Sequence, residues 1–395
     1  MEFDGYRRDN GRVGVRNYVA VIPTSVAASA IADRIATEAG SRARATPHQM
    51  GASQPEVARL QTERVLVGTG QNPNVGGALL VELGTEDIDI DMLADQIVRS
   101  ETPVKTLSIR ETGGTRATIT EGAKIVADLL DETASVRRES ADIGELIFGV
   151  ECGGSDATSG IAANPAVGNA CDRLINHGGT ACFSETPEFI GAEHILAERC
   201  SDNETRERLL NRVERREALA DLMGVDIRGA QPSPGNQEGG LTTIEEKSLG
   251  AISKGGTTPV RGIVDYAEEL PAKAGLVLMD SPGYDVESVV GKAAGGAQIV
   301  AFTTGRGSTT GNPIAPVIKV TGNPKTWGQM ANNMDVNAST VVKGESLETV
   351  GKRVFETLIE VANGRPTEAE QRRLTEFAIN EIQPREIAVL EGKAP

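Results

Sequence analysis

The sequence is short of the residues on which several protein classes depend. Only four cysteines occur in 395 residues, without close CxxC pairing, so a disulfide framework is not expected in a chain of this size. No apolar run approaches the ~18 residues of a membrane span, and the start, MEFDGYRRDNGRVG, has no apolar signal core. A soluble, cytoplasmic protein with no membrane partner is the expectation. Lysine is scarce as well: 11 of the 40 basic residues are lysine and 29 are arginine. With a net charge of −16 and a pI near 4.8, the balance argues against nucleic acid and against an anionic membrane surface. Acid-rich, lysine-poor composition with few aromatics suits a protein kept soluble in high salt, and equally an ordinary acidic cytoplasmic enzyme. A Walker lysine loop, a GxSxG elbow and an HExxH helix are all missing. GTGQNPNVGG (68–77) carries the glycines of a dinucleotide fingerprint, but it follows a helix pattern and precedes a strand. The fingerprint needs the reverse order, so no nucleotide cofactor is expected.

What is present is length enough for two or three domains and a regular alternation of strand and helix patterns. Apolar strands are expected at 18–24, 43–48, 77–84 and 104–110. Between them run helical patterns, including 26–40 with Ser25 as its cap, and a long amphipathic one over 115–139. From Ile143 the alternation resumes with LIFGV, TACFSE, GLVLMD, AQIVAFTT and APVIKVT. The charged helix over 201–224 suits a solvated face with i,i+4 pairs. Strands alternating with helices of this length mean βαβ units. The fold class is therefore α/β, with two Rossmann-like layered domains of mainly parallel sheet, 1–138 and 139–395.

The chain is most crowded with chemistry between Glu151 and His194, which holds three of the four cysteines and two of the three histidines. It opens where ELIFGV breaks into Cys-Gly-Gly-Ser-Asp, the place where parallel α/β folds bind ligands. Four further loops follow strands or open helices: TPHQMG (46–51), SETPEFIGAEH (184–194), GGLTTIEEKSLG (239–250), and MDSPGYD (279–285) with TTGRGSTTGNP (303–313). Together they offer the carboxylates of Asp156, Glu185, Glu188, Glu245, Glu246 and Asp280, the cations Lys247 and Arg306, the imidazoles His48 and His194, and Cys152. Such a set suits a small polyanionic substrate. Arg306 would clamp a carboxylate, assisted by the N–H groups of Gly305 and Gly307. Gly153, Gly154, Ser155, Asp156 and Asn164 are further candidates for substrate binding. Lys247, Glu246 and His48 are the candidates for proton transfer at the carbon α to that carboxylate. The bland reading of Glu245, Glu246 and Lys247 is a solvated helix face. His177 reads as a helix cap, and Cys171 and Cys182 as core.

At these residues the sequence resembles the altronate/galactarate dehydratase family, which also contains the large subunit of (2R)-sulfolactate sulfo-lyase. The matching stretches include GYRRDNGRVGVRN, ECGGSDATSGIAANPAVGNACD, SETPEFIGAEH, GNQEGGLTTIEEKSLGAISKGG and FTTGRGSTTGNPIAPVIKVTGNP. The resemblance spans nearly the whole chain. It implies a lyase that removes the C2 proton and the C3 substituent of a 2-hydroxy carboxylate, leaving a 2-keto acid. It also implies a small SAF-type domain, here a separate subunit of roughly a hundred residues, and an oligomeric assembly. A divalent metal such as Fe²⁺ is implied in turn, with Cys152 and Glu185 as candidate ligands. The dehydratases carry two more cysteines, where this chain has Ala52 and Thr85. The sulfo-lyase branch lacks both, and its GNPxxPVIKxxGNP stretch is close to 311–324. Sulfite leaves more readily than hydroxide and needs less help from a Lewis acid, so the resemblance leans toward sulfolactate. Loss of the cysteines also admits a ligand-binding or scaffold subunit without turnover.

Overall fold

The computed structural model describes residues 1–382 and 386–387. Two parallel sheets carry the architecture. The first runs in the order Ala43–Ala45, Tyr18–Pro23, Val75–Glu82, Val104–Ser108, with every pair parallel. Its central strands are apolar at almost every position because helices cover both faces. Val26–Ala39 and Thr115–Thr133 bury Ile31, Ile35, Ile119 and Val126 on one side, and Glu56–Gln71 buries Val65 and Leu66 on the other.

The second sheet has seven parallel strands in the order Val260–Val264, Gly275–Met279, Thr180–Phe183, Ile147–Cys152, Ile299–Thr304, Val317–Thr321, Val336–Asn337. Ile147–Cys152 comes first in sequence and lies in the middle. The next strand pairs on one side of it, and Ile299–Thr304 returns on the other. The direction of winding therefore reverses between Ile147–Cys152 and Ile299–Thr304, which opens a crevice at their carboxyl ends. One core joins the two layers: Val65 and Leu66 of the first share it with Val289, Val290 and Phe302 of the second. The expected α/β class with parallel sheets is what the chain forms. No helix among the described residues is long and apolar enough to cross a membrane.

Three local expectations are corrected. The helix expected over 115–139 ends at Thr133, because Arg138–Asp142 leaves to pair with Glu2–Arg7 in an antiparallel three-stranded sheet completed by Val13–Gly14. Ser25 stands at the cap position of Val26–Ala39, yet its hydroxyl donates to Glu86 at 2.8 Å rather than accepting from the helix. The charged helix Asn203–Leu222 has the expected solvated face, with Glu204, Arg206, Glu207 and Glu214 exposed, but three of its arginines pair with the second sheet and its loops rather than along the helix. Arg208 donates to the Ile263 carbonyl, Arg212 pairs with Asp265 at 2.5 Å, and Arg216 pairs with Asp280 at 3.1 Å.

Candidate active site

At the carboxyl end of the central strand, Cys152 begins a chain of buried charges. Its thiol donates to Glu188 Oε2 at 2.8 Å, and its backbone N–H donates to Glu185 Oε2 at 3.1 Å. Lys254 Nζ donates to Cys152 Sγ at 3.0 Å and to Glu185, and stands 3.6 Å from Glu188. Lys247 closes the row, 3.2 Å from Glu188. Behind it lies a second pair, Lys292 with Glu151, held by Ser184 and Ser288. Lys254, Lys292, Glu151 and Glu185 are all fully buried.

Backbone geometry explains why these groups meet. Glu185 follows the strand Thr180–Phe183 and takes a left-handed conformation, φ 75°, uncommon for a residue with a side chain. Ser281 holds that turn: its hydroxyl accepts from Glu185 N–H at 2.9 Å and its carbonyl from Thr186 N–H at 3.2 Å. Lys254 rides on the short turn Ser253–Gly255, against the helix Asn164–Asn176. The turn comes this close because residue 168 is glycine; a Cβ there would lie 2.1 Å from the Ser253 carbonyl oxygen.

Electrostatics follow from burial and from neighbours. Burial pushes the Cys152 thiol well above its ordinary range, and Glu185 and Glu188 push it further, so it stays protonated. Burial raises Glu185 well above the carboxylate range, with Glu151 and Glu188 adding to it. Glu188 is also buried, but Lys247 and Lys254 outweigh that cost and hold it below its usual value. Burial alone would lower both lysines. The anionic neighbours reverse this, so Lys247 is raised and Lys254 raised well above an ordinary lysine. At neutral pH the row is a thiol, a protonated Glu185, two ammonium groups and the Glu188 carboxylate they flank.

Beside the row lies a cleft of about 230 Å³ lined by Ser155, Asp156, Asn164, Glu246, Lys247 and the apolar Leu241. It gathers five of the candidate residues named from sequence. Lys247 is the one that connects cleft and row. Glu246 is exposed and accepts from Thr242 at the start of its helix, and Asp156 caps its own turn through Thr158 and Ser159. Asn164 donates to the Gly250 carbonyl at 2.9 Å, and Ser155 accepts from Asn236 at 2.9 Å. Gly153, Gly154, Gly305 and Gly307 form the crevice between the two central strands. The N–H groups of Gly305 and Arg306 donate to Gly154 O, and Gly307 N–H to Thr304 Oγ1, so these donors are engaged within the protein. Arg306 is exposed at the rim and pairs with Glu238 at 3.2 Å. His48 belongs to the first layer. It lies buried, with Nε2 2.9 Å from the Pro23 carbonyl and Nδ1 accepting from Met50 N–H, and burial lowers it to about 4. His194 is exposed, His177 ends its helix stacked on Phe355, and Cys171 and Cys182 are core. A larger groove, about 470 Å³, runs between Tyr18, Arg44, Pro313 and Arg373. It holds none of the Cys152, Lys254 and Glu185 row, and its one largely buried carboxylate, Glu370, is taken by Arg16, so chemistry outweighs size in choosing between the two.

Lys254, Lys292, Glu151 and Asp285 were not among the candidates. One signal could have found the lysines: in a chain that uses arginine for most of its positive charge, Lys254 sits in a Gly-rich turn and Lys292 on an otherwise apolar helix face.

Comparison with known proteins follows the same residues. The family model described as D-galactarate/altronate dehydratase, C-terminal, matches residues 143–385. The one described as D-galactarate dehydratase/altronate hydrolase, second domain, matches 5–134. The (2R)-sulfolactate sulfo-lyase subunit beta of Chromohalobacter salexigens is 40% identical over 383 residues, 96% of this chain and 97% of the relative. Altronate dehydratase of Bacillus subtilis is 33% identical, covering 95% of this chain and 77% of its own length. Galactarate dehydratase (L-threo-forming) of Escherichia coli is 35% identical over 76% of this chain and 59% of the relative.

Proposed function

The chain belongs to the D-galactarate/altronate dehydratase family, and from that premise we propose that it is a lyase for a small 2-hydroxy carboxylate with a good leaving group at C3, (2R)-sulfolactate first among them. One observation carries the reading: a cleft whose inner wall is Lys247, backed by the sealed row Glu188, Cys152, Lys254 and Glu185. Its volume suits a short acid better than a large ligand.

In this reading the Lys247–Glu188 pair handles the C2 proton. Glu188, kept ionised by two ammonium groups, accepts it, and the Lys247 ammonium faces the charge that develops on the enediolate. The C3–sulfur or C3–oxygen bond then breaks with its electron pair going to the leaving group, and the enol product becomes the 2-keto acid. Lys254 touches no substrate. It positions Glu185 and Glu188 and keeps the region compensated without water. A divalent cation would supply Lewis-acid stabilisation of the developing negative charge, and Glu151, Glu185 and Asp285 are the residues that would hold it. The carboxylates around Glu185 fit such an ion, since Glu151 Oε1 and Glu185 Oε1 are buried without a hydrogen-bond partner.

The relative from Chromohalobacter is named as a subunit, which supports a partner subunit here, and we propose that this partner is a small SAF-type one. The test supplies (2R)-sulfolactate, altronate and galactarate to the chain with and without that partner, and follows sulfite and 2-keto acid. Sulfite with pyruvate from sulfolactate supports the reading. A 3-deoxy-2-keto acid from a sugar acid moves it to the dehydratase branch. No turnover of any of them, with Mg²⁺, Mn²⁺ or Fe²⁺ added, sinks it in favour of a binding subunit.

A further inference from the structure

A groove of about 470 Å³ lies away from the catalytic row and carries donors that the fold leaves without acceptors. Tyr18 opens the strand Tyr18–Pro23 and Pro316 precedes Val317–Thr321, so the groove sits at strand amino ends. Cys152 instead closes its strand at the carboxyl end. Asn312 lines the groove and is 5% exposed. Its Oδ1 accepts from the N–H groups of Ile314 and Ala315 at 3.1 and 3.0 Å, but its Nδ2 is buried with no hydrogen-bond partner. A buried amide donor in that state is costly, and an acceptor supplied by a ligand removes the cost. Arg373 lines the groove too, and its guanidinium makes no hydrogen bond or ion pair among the described residues. Its backbone is left-handed, φ 56°, just past the helix Glu368–Gln371, where glycine is the usual residue. Arg44 completes the set from the first layer. It stacks over the Tyr18 ring at 4.5 Å, with Nη1 donating to the Ser41 and Ala43 carbonyls and Nη2 without an acceptor among the described residues.

Glu370 cannot neutralise these groups. Arg16 meets both of its oxygens, and Tyr18 donates to Oε1 at 2.9 Å. That leaves Asp33, exposed on the helix Val26–Ala39, against two guanidinium groups, so the wall is positive in a chain whose net charge is −16. Two segments are pressed together to make this wall. Gly311 N–H donates to Glu376 at 2.7 Å, and a Cβ on Gly311 would fall 2.0 Å from the Leu374 carbonyl oxygen. We propose that the groove is a second ligand site, for a phosphate monoester: Arg44, Arg373 and Asn312 Nδ2 hold the phosphoryl oxygens, and Pro47, Pro313 and Leu374 cover the organic part. A phosphoryl group offers three acceptor oxygens and up to two negative charges, which matches two guanidinium forks and a neutral amide. The groove is larger than a bare ion fills and falls in the range of small-molecule pockets. This site stands whether or not the cleft at Lys247 performs an elimination.

The experiment is calorimetric titration of the full chain, in buffer free of phosphate and sulfate, with glycerol 3-phosphate and with inorganic phosphate. The wild type is expected to bind both, the ester at least about 3-fold more tightly because only it reaches the apolar wall. Arg373→Gln, at an exposed position, should weaken the ester at least about 10-fold. Asn312→Asp keeps the oxygen that accepts from Ile314 and Ala315 but sets a second carboxylate oxygen where Nδ2 stood, and should abolish binding. Lys247→Ala, in the catalytic cleft, should change Kd by less than about 3-fold. No binding of either phosphate by the wild type, or an ester bound no more tightly than the bare ion, overturns the proposal. So does binding that survives Arg373→Gln, or binding lost in Lys247→Ala, which would put the anion in the cleft.

Discussion

Replacing Lys254 by methionine separates what that ammonium does for the fold from what it does for the reaction. Lys254→Met keeps a long side chain but removes the donor to Cys152 Sγ and Glu185 Oε2 and the positive charge 3.6 Å from Glu188. Glu188 retains Lys247, whereas Glu185 keeps only the Cys152 amide and its thiol at 3.5 Å. Breaking a buried pair from one side costs about 3–5 kcal/mol. Glu185 limits the loss because burial already raises it well above the ordinary range and holds it protonated, so about 3 kcal/mol is the expected deficit. The sign with pH follows. With or without Lys254 the folded state holds a proton on Glu185 that the unfolded state releases above its ordinary 4.5, so both proteins lose stability as pH rises through that value and the deficit between them changes little there. Lys254→Met/Glu185→Gln removes both members of the pair and should recover most of the stability, measured as the urea midpoint at constant m. Turnover behaves differently. Both variants should lose about 10³-fold or more in kcat, because the charges that pre-organise Glu188 are gone. A single variant as stable as wild type, or a double variant that regains activity along with stability, would refute the reasoning.

Three other outcomes can be checked separately. His48, lowered by burial to about 4 from 6.5, stays neutral in the fold while the unfolded chain takes up a proton. Stability from this group is present above about pH 6.5 and is lost as pH falls toward 4; at about pH 5 the loss is about 2 kcal/mol, and His48→Gln should flatten that part of the urea-midpoint profile. Gly168→Ala places a Cβ 2.1 Å from the Ser253 carbonyl oxygen and displaces the turn that carries Lys254. We expect a cost of about 1–3 kcal/mol and a fall in kcat with little change in KM, and unaltered kcat would count against the placement of Lys254. Arg16 meets both oxygens of Glu370 and three backbone carbonyls, so Arg16→Leu should cost about 3–5 kcal/mol in urea while leaving KM unchanged.

The parallel sheets were legible because buried strands such as YVAVIP and ELIFGV announce themselves as apolar runs between helical patterns. The antiparallel strands were not. EFDGYR and RESAD carry one or two apolar residues each, and only their mutual pairing makes them strands. In the site, Cys152, Glu185 and Glu188 were visible as a local crowd. Lys254 and Lys292 come from 102 and 141 residues away along the chain, a juxtaposition no local pattern encodes. Composition did carry a trace of them. Among the ten lysines of the described residues three, Lys254, Lys292 and Lys319, are fully buried, and each stands among apolar or glycine neighbours where a surface charge would be wasteful.

The antiparallel sheet also sets an order of events during synthesis. Glu2–Arg7 is made before the segment it pairs with, Arg138–Asp142, and Asp4 N–H donates to Asn363 Oδ1, 359 residues further on. That strand therefore waits while well over a hundred residues are added, during which the first parallel sheet can close on its own neighbours. A nascent chain arrested before residue 138 should leave Glu2–Arg7 open to added protease, and one long enough to carry residue 142 clear of the ribosome should protect it.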